Sequence, residues 1–172
     1  MQFYKHFDKE GILITTFGHA YNKPNNTPQD DNSIFGKTLF LDFKNKNLLV
    51  FSKGHRVVQG MYVDQNIILQ TEHGPRGGDE INRIIYNKNY GWPISSYGER
   101  YGMGYTREPT YLKSHSEMRF EEPIFSFVPS VGISELIKLP NTFSPFFENN
   151  FLISSLYGRT LYRIKFDEKY TK

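Results

Sequence analysis

A chain of 172 residues suits one ordinary domain with a sizeable core, and the absence of cysteine excludes disulfides and thiolate metal sites. Net charge is only +3, with basic residues scattered among acids, so no basic face marks a nucleic-acid partner. Residues 1–9 lack the basic start and apolar run of a secretory signal, and no stretch reaches membrane-spanning length.

The content of 15 Phe and 12 Tyr, against a single alanine at Ala20, favours pleated strands and predicts a nearly all-β chain. The β-branched run at 11–17, bounded by glycines, predicts a buried strand. Residues 19–33 are rich in Asn, Pro, Asp and Gln and predict a loop. Runs at 38–43 and 48–52 flank a short polar connection and predict a hairpin, and a second pair follows at 58–63 and 67–72. A further strand is predicted over 80–86.

Between the last two strands the chain reads Glu72-His73-Gly74-Pro75-Arg76-Gly77-Gly78-Asp79-Glu80. Glycine and proline force sharp bends there, and Glu72, Asp79 and Glu80 supply three carboxylates. Carboxylates and bent-out carbonyls suit a hard cation such as calcium, while a solvated acidic loop is the plainer alternative.

Residues 87–122 form the longest departure from the strand rhythm. Their aromatics, among them Tyr90, Trp92, Tyr97, Tyr101, Tyr105 and Tyr111, predict a folded cap over a site rather than a disordered loop. Strands are predicted again over 124–128, 132–139, 151–156 and 160–166. Short strands in this order fit a sandwich, a barrel or propeller blades, and periodicity alone does not choose among them.

Three separated blocks supply a resemblance. They are Gly54-His55-Arg56 followed by Gln59-Gly60, the run from Glu72 to Asn82, and Asn89-Tyr90-Gly91-Trp92-Pro93. Glu122-Pro123, Val128-Pro129-Ser130 and Gly158-Arg159 follow in the same order. The chain resembles the soluble PQQ-dependent sugar dehydrogenases, also called the glucose/sorbosone dehydrogenase family.

The resemblance implies a partial β-propeller of about three four-stranded antiparallel blades from a six-bladed ring. The blades are expected near 11–52, 53–86 and 123–166, with the long loop at 87–122. It implies hydride transfer from an aldose C1 to PQQ with a lactone product. Arg56, His73 and Tyr101 fall on cofactor-facing positions. The backbone carbonyls of Gly74 and Pro75 fall at the calcium that meets the cofactor, and Glu80 with the Tyr90 carbonyl falls at a second, structural calcium.

Val57 stands where the family usually has Asn after Gly-His-Arg, which removes an amide from the cofactor's side and weakens the expected hold on PQQ. The family's catalytic histidine lies upstream of Met1, and none of His6, His19, His55, His73 and His115 matches its motif. The isolated chain is therefore expected to be an inactive fragment. Missing blades or a second copy are the expected partners, joining sheet edges left open near 11–17 and 160–166. The compartment is not written in these residues, and the resemblance alone implies a periplasmic or secreted location. The alternative function is a non-catalytic, calcium-stabilised propeller segment acting in binding or assembly.

Overall fold

Alternating β-branched and aromatic residues at the start of the chain build a four-stranded antiparallel meander: β1 (Gln2–His6), β2 (Lys9–Thr15), β3 (Lys37–Asp42) and β4 (Asn47–Lys53). The computed structural model describes residues 1–6, 9–18, 26–64, 67–101, 111–167 and 170. A second sheet contains β5 (Val58–Asp64), β6 (Ile67–Glu72) and β7 (Asp79–Arg83), with β9 (Phe125–Phe127) as its fourth strand. The two-residue β8 (Lys88–Asn89) adds to β4 in parallel. The third sheet runs β10 (Ile133–Lys138), β11 (Asn150–Ser155) and β12 (Thr160–Lys165). The helical elements among the described residues are two single 3-10 turns, Ser116–Met118 and Pro145–Phe147, and no helix among them is long and apolar enough to cross a membrane.

The sheets pack face to face, as propeller blades do. Leu13, Phe40 and Phe51 of the first sheet meet Met61 and Ile68 of the second. Leu69 and Ile81 on the second sheet's other face meet Ile133, Leu136, Phe151 and Ile153 of the third. Each such side chain contributes roughly 1.5–3 kcal/mol relative to exposure. This layering explains the burial pattern. β6 in the middle sheet is covered on both sides, whereas β12 alternates half-buried and exposed positions.

The expected boundaries shift in two places. Asp79, Glu80 and Ile81 pair with Phe127, Ser126 and Phe125, so β9 closes the second blade and the third begins at β10 rather than at 123. The long segment after β7 is thus an insertion between the third and fourth strands of one blade. The first blade starts at β1, which the sequence reading left out, and five register pairs tie it to β2.

The open surfaces also differ from expectation. β2 lies inside its sheet, hydrogen-bonded on both sides, so the run near 11–17 is no edge, although β12 is one. What the first blade leaves uncovered is a face, with Phe3, Ile12, Leu41 and Leu48 in one cross-strand row; Phe3 is 76% and Leu48 47% exposed. The third blade presents the row Ile137, Leu152 and Arg163 on its outer side.

Candidate functional site

The site grows from the turn between β4 and β5. Gly54 adopts a left-handed φ of 79°, and a Cβ there would lie 2.2 Å from the Asn89 side-chain oxygen, so only glycine fits. Behind this turn the His55 ring is buried. Its Nδ1–H donates to Glu72 Oε2 at 3.1 Å, while Nε2 accepts the Ser52 hydroxyl at 2.8 Å. Glu72 Oε1 also accepts the Arg56 amide at 2.6 Å. This serine, histidine and glutamate resemble a nucleophilic triad only in order, because all three are sealed from solvent. Their effect is to fix the backbone that carries Arg56.

The Arg56 side chain is only 6% exposed. One guanidinium nitrogen donates to the His73 carbonyl at 2.9 Å, and the group lies 5.2 Å over the Trp92 ring. Its Nε is buried without a hydrogen-bond partner. Burial pulls its pKa down, against the pull of Tyr101, Glu72, Tyr111 and Asp79, yet a guanidinium stays charged at neutral pH. Tyr101 stands at the exposed rim, 68% accessible. The His73 ring does not join this group through its nitrogen, since Nε2 donates to the Ile133 carbonyl at 2.5 Å and staples the second blade to the third.

The glycine loop after β6 is clamped from two sides. Asp79 accepts four hydrogen bonds, from the Gly74 amide at 3.1 Å, Ser130 Oγ at 2.8 Å, the Val131 amide at 3.1 Å and the Ile133 amide at 3.0 Å. On the other side, Arg76 and Glu99 exchange backbone hydrogen bonds at 3.0 and 2.8 Å. A Cβ at Gly78 would sit 2.3 Å from the Gly98 nitrogen. The Gly74 and Pro75 peptides are therefore held at the junction of two blades and the inserted segment.

Glu80, 7% exposed, faces inward beside a second group of polar side chains. Asn82 donates to Glu80 Oε2 at 3.3 Å, and the His115 Nε2 lies 3.7 Å from Glu80 Oε1. Glu122 Oε2 lies 3.7 Å from His115 Nδ1 and accepts the Tyr97 hydroxyl at 2.6 Å. Burial pushes Glu80 well above the usual carboxylate range, and the charge of Glu72 adds to it. Burial equally pushes His115 below the usual imidazole range, so it brings little positive charge to its neighbours. For Glu122 burial also works upward, but hydrogen bonds from Tyr97 and the Ser116 amide outweigh it and hold the carboxyl low.

This arrangement corrects one expectation about the acidic stretch. Glu72 and Asp79 are committed to protein donors, which leaves Glu80 as the carboxylate of the three that a cation could take. A hard cation fits there: the Asn82 side-chain oxygen is buried with no partner, and among the described residues no Lys or Arg pairs with Glu80, whose one basic neighbour is His115. Among the described residues no three His, Asp or Glu side chains converge as a metal cage, so such an ion has to draw on backbone carbonyls as well. Tyr90 is anchored by its amide on the Lys53 carbonyl at 2.9 Å, its hydroxyl on the Arg83 carbonyl at 2.6 Å and its ring stacked 4.7 Å from His55. An anionic cofactor fits the Arg56 side equally, because a buried guanidinium with an unpartnered N–H is suited to a carboxylate.

Sequence reasoning had not singled out Asn82, Arg100 or Glu122 as site residues; Asn82, Trp92 and Glu122 entered it within the blocks that carry the resemblance, Tyr111 as a loop aromatic and His115 as a motif mismatch. Asn82 lies on β7 and the other five inside the long aromatic insertion. The insertion's middle, including Tyr105, lies outside the described residues, as does His19.

A family model described as Glucose / Sorbosone dehydrogenase matches residues 5–172. The chain belongs to that family. Aldose sugar dehydrogenase YliI of Escherichia coli (strain K12) is 32% identical over 143 residues, which cover 74% of this chain and 37% of YliI. The solved apo-form of the soluble aldose sugar dehydrogenase from Escherichia coli superposes with a TM-score of 0.77 at 24% identity, over 97% of this chain and 50% of that one. The PQQ-bound aldose sugar dehydrogenase from Streptomyces coelicolor gives a TM-score of 0.62 at 22% identity, over 93% and 42%. The chain thus has the propeller fold of these solved structures and spans about half the length of the E. coli one.

Proposed function

We propose that this chain forms the cofactor-binding and cation-binding half of a PQQ-dependent aldose dehydrogenase, which takes a hydride from the sugar C1 and yields a lactone. The observation that carries this reading is Arg56, a buried guanidinium with an unpartnered N–H, held over Trp92 by the Ser52–His55–Glu72 chain. When bound, PQQ supplies an orthoquinone as hydride acceptor, and a calcium ion beside it polarises the accepting carbonyl. Arg56 would hold a cofactor carboxylate, Tyr101 would cover the exposed side, and the Gly74 and Pro75 carbonyls would face the cofactor's calcium. Glu80 and the Tyr90 carbonyl, with the Asn82 amide, would hold a structural calcium.

None of His55, His73 and His115 is placed to take the sugar's proton. His55 is buried in its own hydrogen bonds, the His73 Nε2 is committed to the Ile133 carbonyl, and His115 is buried between Glu80 and Glu122. The exposed apolar faces of the first and third blades are where further blades would pack.

The test is PQQ titration in calcium buffer, followed by the fluorescence of Trp92, the only tryptophan. Quenching is expected, with Arg56→Gln weakening PQQ by roughly 10- to 100-fold, the worth of a hydrogen bond to a charged group. Saturable binding that is unaffected by Arg56→Gln, or no binding at all, would remove this reading.

A further inference from the structure

The third blade carries a cavity of about 420 Å³ that shares no residue with the candidate site. Phe146, Glu148, Asn149, Asn150, Arg163 and Lys165 line it. At one end of β10, Ile133 is bonded to His73 and Asp79 of the candidate site. The cavity lies beyond the other end, roughly 17 Å along the strand, where residues 139–149 lead into β11.

Arg163 and Lys165 flank Ile164 on β12, so both leave the same side of the sheet, about 7 Å apart at the backbone. Leu152 stands opposite Arg163, and Asn150 opposite Lys165. Neither cation has a salt bridge or a side-chain hydrogen bond among the described residues. The Arg163 guanidinium lies 5.3 Å over the Phe147 ring, a contact that engages its face and leaves its N–H edges free. Asn150 is only 4% exposed; its NH2 donates to the Glu148 carbonyl at 2.8 Å, and its oxygen takes no donor among the described residues. An amide oxygen left open on a buried residue, beside two unpaired cations, is hydrogen-bonding capacity that the chain itself does not use.

The lining divides into two chemistries. Arg163 and Lys165 suit a dianion, the fork taking two oxygens and the ammonium a third. The Asn150 oxygen and the Glu148 carboxylate only accept, which calls for hydroxyl donors, and the charge of Glu148 opposes a second acidic group on the ligand. Phe146, 88% exposed, offers an apolar face to a ring's C–H groups. The volume falls in the range of sites for small organic molecules and exceeds what a bare anion needs.

We propose that this cavity binds a sugar monophosphate, with its phosphate on Arg163 and Lys165 and its hydroxyls on Asn150 and Glu148. The site stands apart from the cofactor reading, so either can fail without the other.

Isothermal titration calorimetry of the full chain with glucose 6-phosphate, glucose and inorganic phosphate tests both halves of the lining. Glucose 6-phosphate should bind roughly tenfold or more tightly than glucose or phosphate alone. Arg163→Gln and Lys165→Gln should each weaken it by roughly tenfold, and Arg163→Lys, which keeps charge but loses the fork, should fall between wild type and Arg163→Gln. Both positions are exposed, so the variants should melt with wild type. In NMR spectra the Asn150 side-chain NH2 should shift on addition of glucose 6-phosphate while the Trp92 indole resonance stays in place. Failure of wild type to bind glucose 6-phosphate at millimolar concentration overturns the proposal. So does a loss below about twofold in both glutamine variants. Inorganic phosphate binding as tightly as glucose 6-phosphate also overturns it, because the cavity would then be a general anion patch with no hold on the sugar.

Discussion

Replacing Asp79 by Asn should loosen the joint on which the site is built. The carboxylate accepts from Gly74 and Ser130 on one oxygen and from Val131 and Ile133 on the other, at 2.8–3.1 Å, and it is buried. An asparagine keeps one acceptor oxygen and turns an NH2 toward the remaining two donors. With the oxygen on the Val131 and Ile133 amides the Ser130 hydroxyl turns to accept from the NH2, so the Gly74 N–H loses its partner, at about 1–3 kcal/mol, and the other three bonds weaken from charge-assisted to neutral. A total near 4 kcal/mol follows, which is a large share of ordinary domain stability. For a chain of this size that loss corresponds to a fall in Tm of roughly 8–16 °C. Thermal melts by circular dichroism measure the fall. Amide exchange locates it, since Gly74, Val131 and Ile133 should exchange faster in the variant while the β3–β4 hairpin should change only as much as global stability does. A melt within about 2 °C of wild type, with unchanged exchange at these three amides, would refute the reasoning.

Two other perturbations test different parts of the structure. Lys37 is buried and donates to the carbonyls of Thr27 at 2.8 Å, Pro28 at 3.0 Å and Phe35 at 3.0 Å, so Lys37→Met should keep the packing, strip the Phe35 carbonyl of its donor and leave the Thr27 and Pro28 carbonyls only their bonds from the Asp30 and Gly54 amides. The expected cost is about 3 kcal/mol, with faster chymotrypsin cutting at Phe35; a variant that melts and is cut like wild type would sink the anchoring role. Calcium added after chelation should raise stability by about 2.7 kcal/mol at a hundredfold excess over its Kd. Glu80→Gln should abolish that response and, since burial already drives the empty carboxyl toward its neutral form, melt no lower than wild type in chelator. A calcium response that survives the substitution would place the ion elsewhere.

The long loop shows where local pattern stops being informative. Its aromatic content identified residues 87–122 as a packed cap, and the structure packs Trp92 on Tyr111 and Tyr97 on His115. Its partners across the chain were not legible. Glu122 reaches Tyr97 across 25 residues, and Arg100 reaches the Tyr111–Trp92 wall that carries Arg56, because the Arg76–Glu99 bridge draws the two loops together. No periodicity encodes such a crossing.

What the sequence by itself determined is the all-β class, the hairpins at β3–β4 and β5–β6, and the family, since strand propensity, turn chemistry and contiguous motifs are local properties. Tertiary structure alone decided which blade owns β9 and which acids remain for a cation. A three-residue strand pairs wherever backbone donors and acceptors are open to it, and β7 offered them. Glu72, Asp79 and Glu80 look equivalent in the sequence, yet burial and the donors around them commit the first two to the scaffold and leave Glu80 with no Lys or Arg partner among the described residues. Hydrogen-bond supply at each position is a property of the packed blades, and it separates ligand from strut.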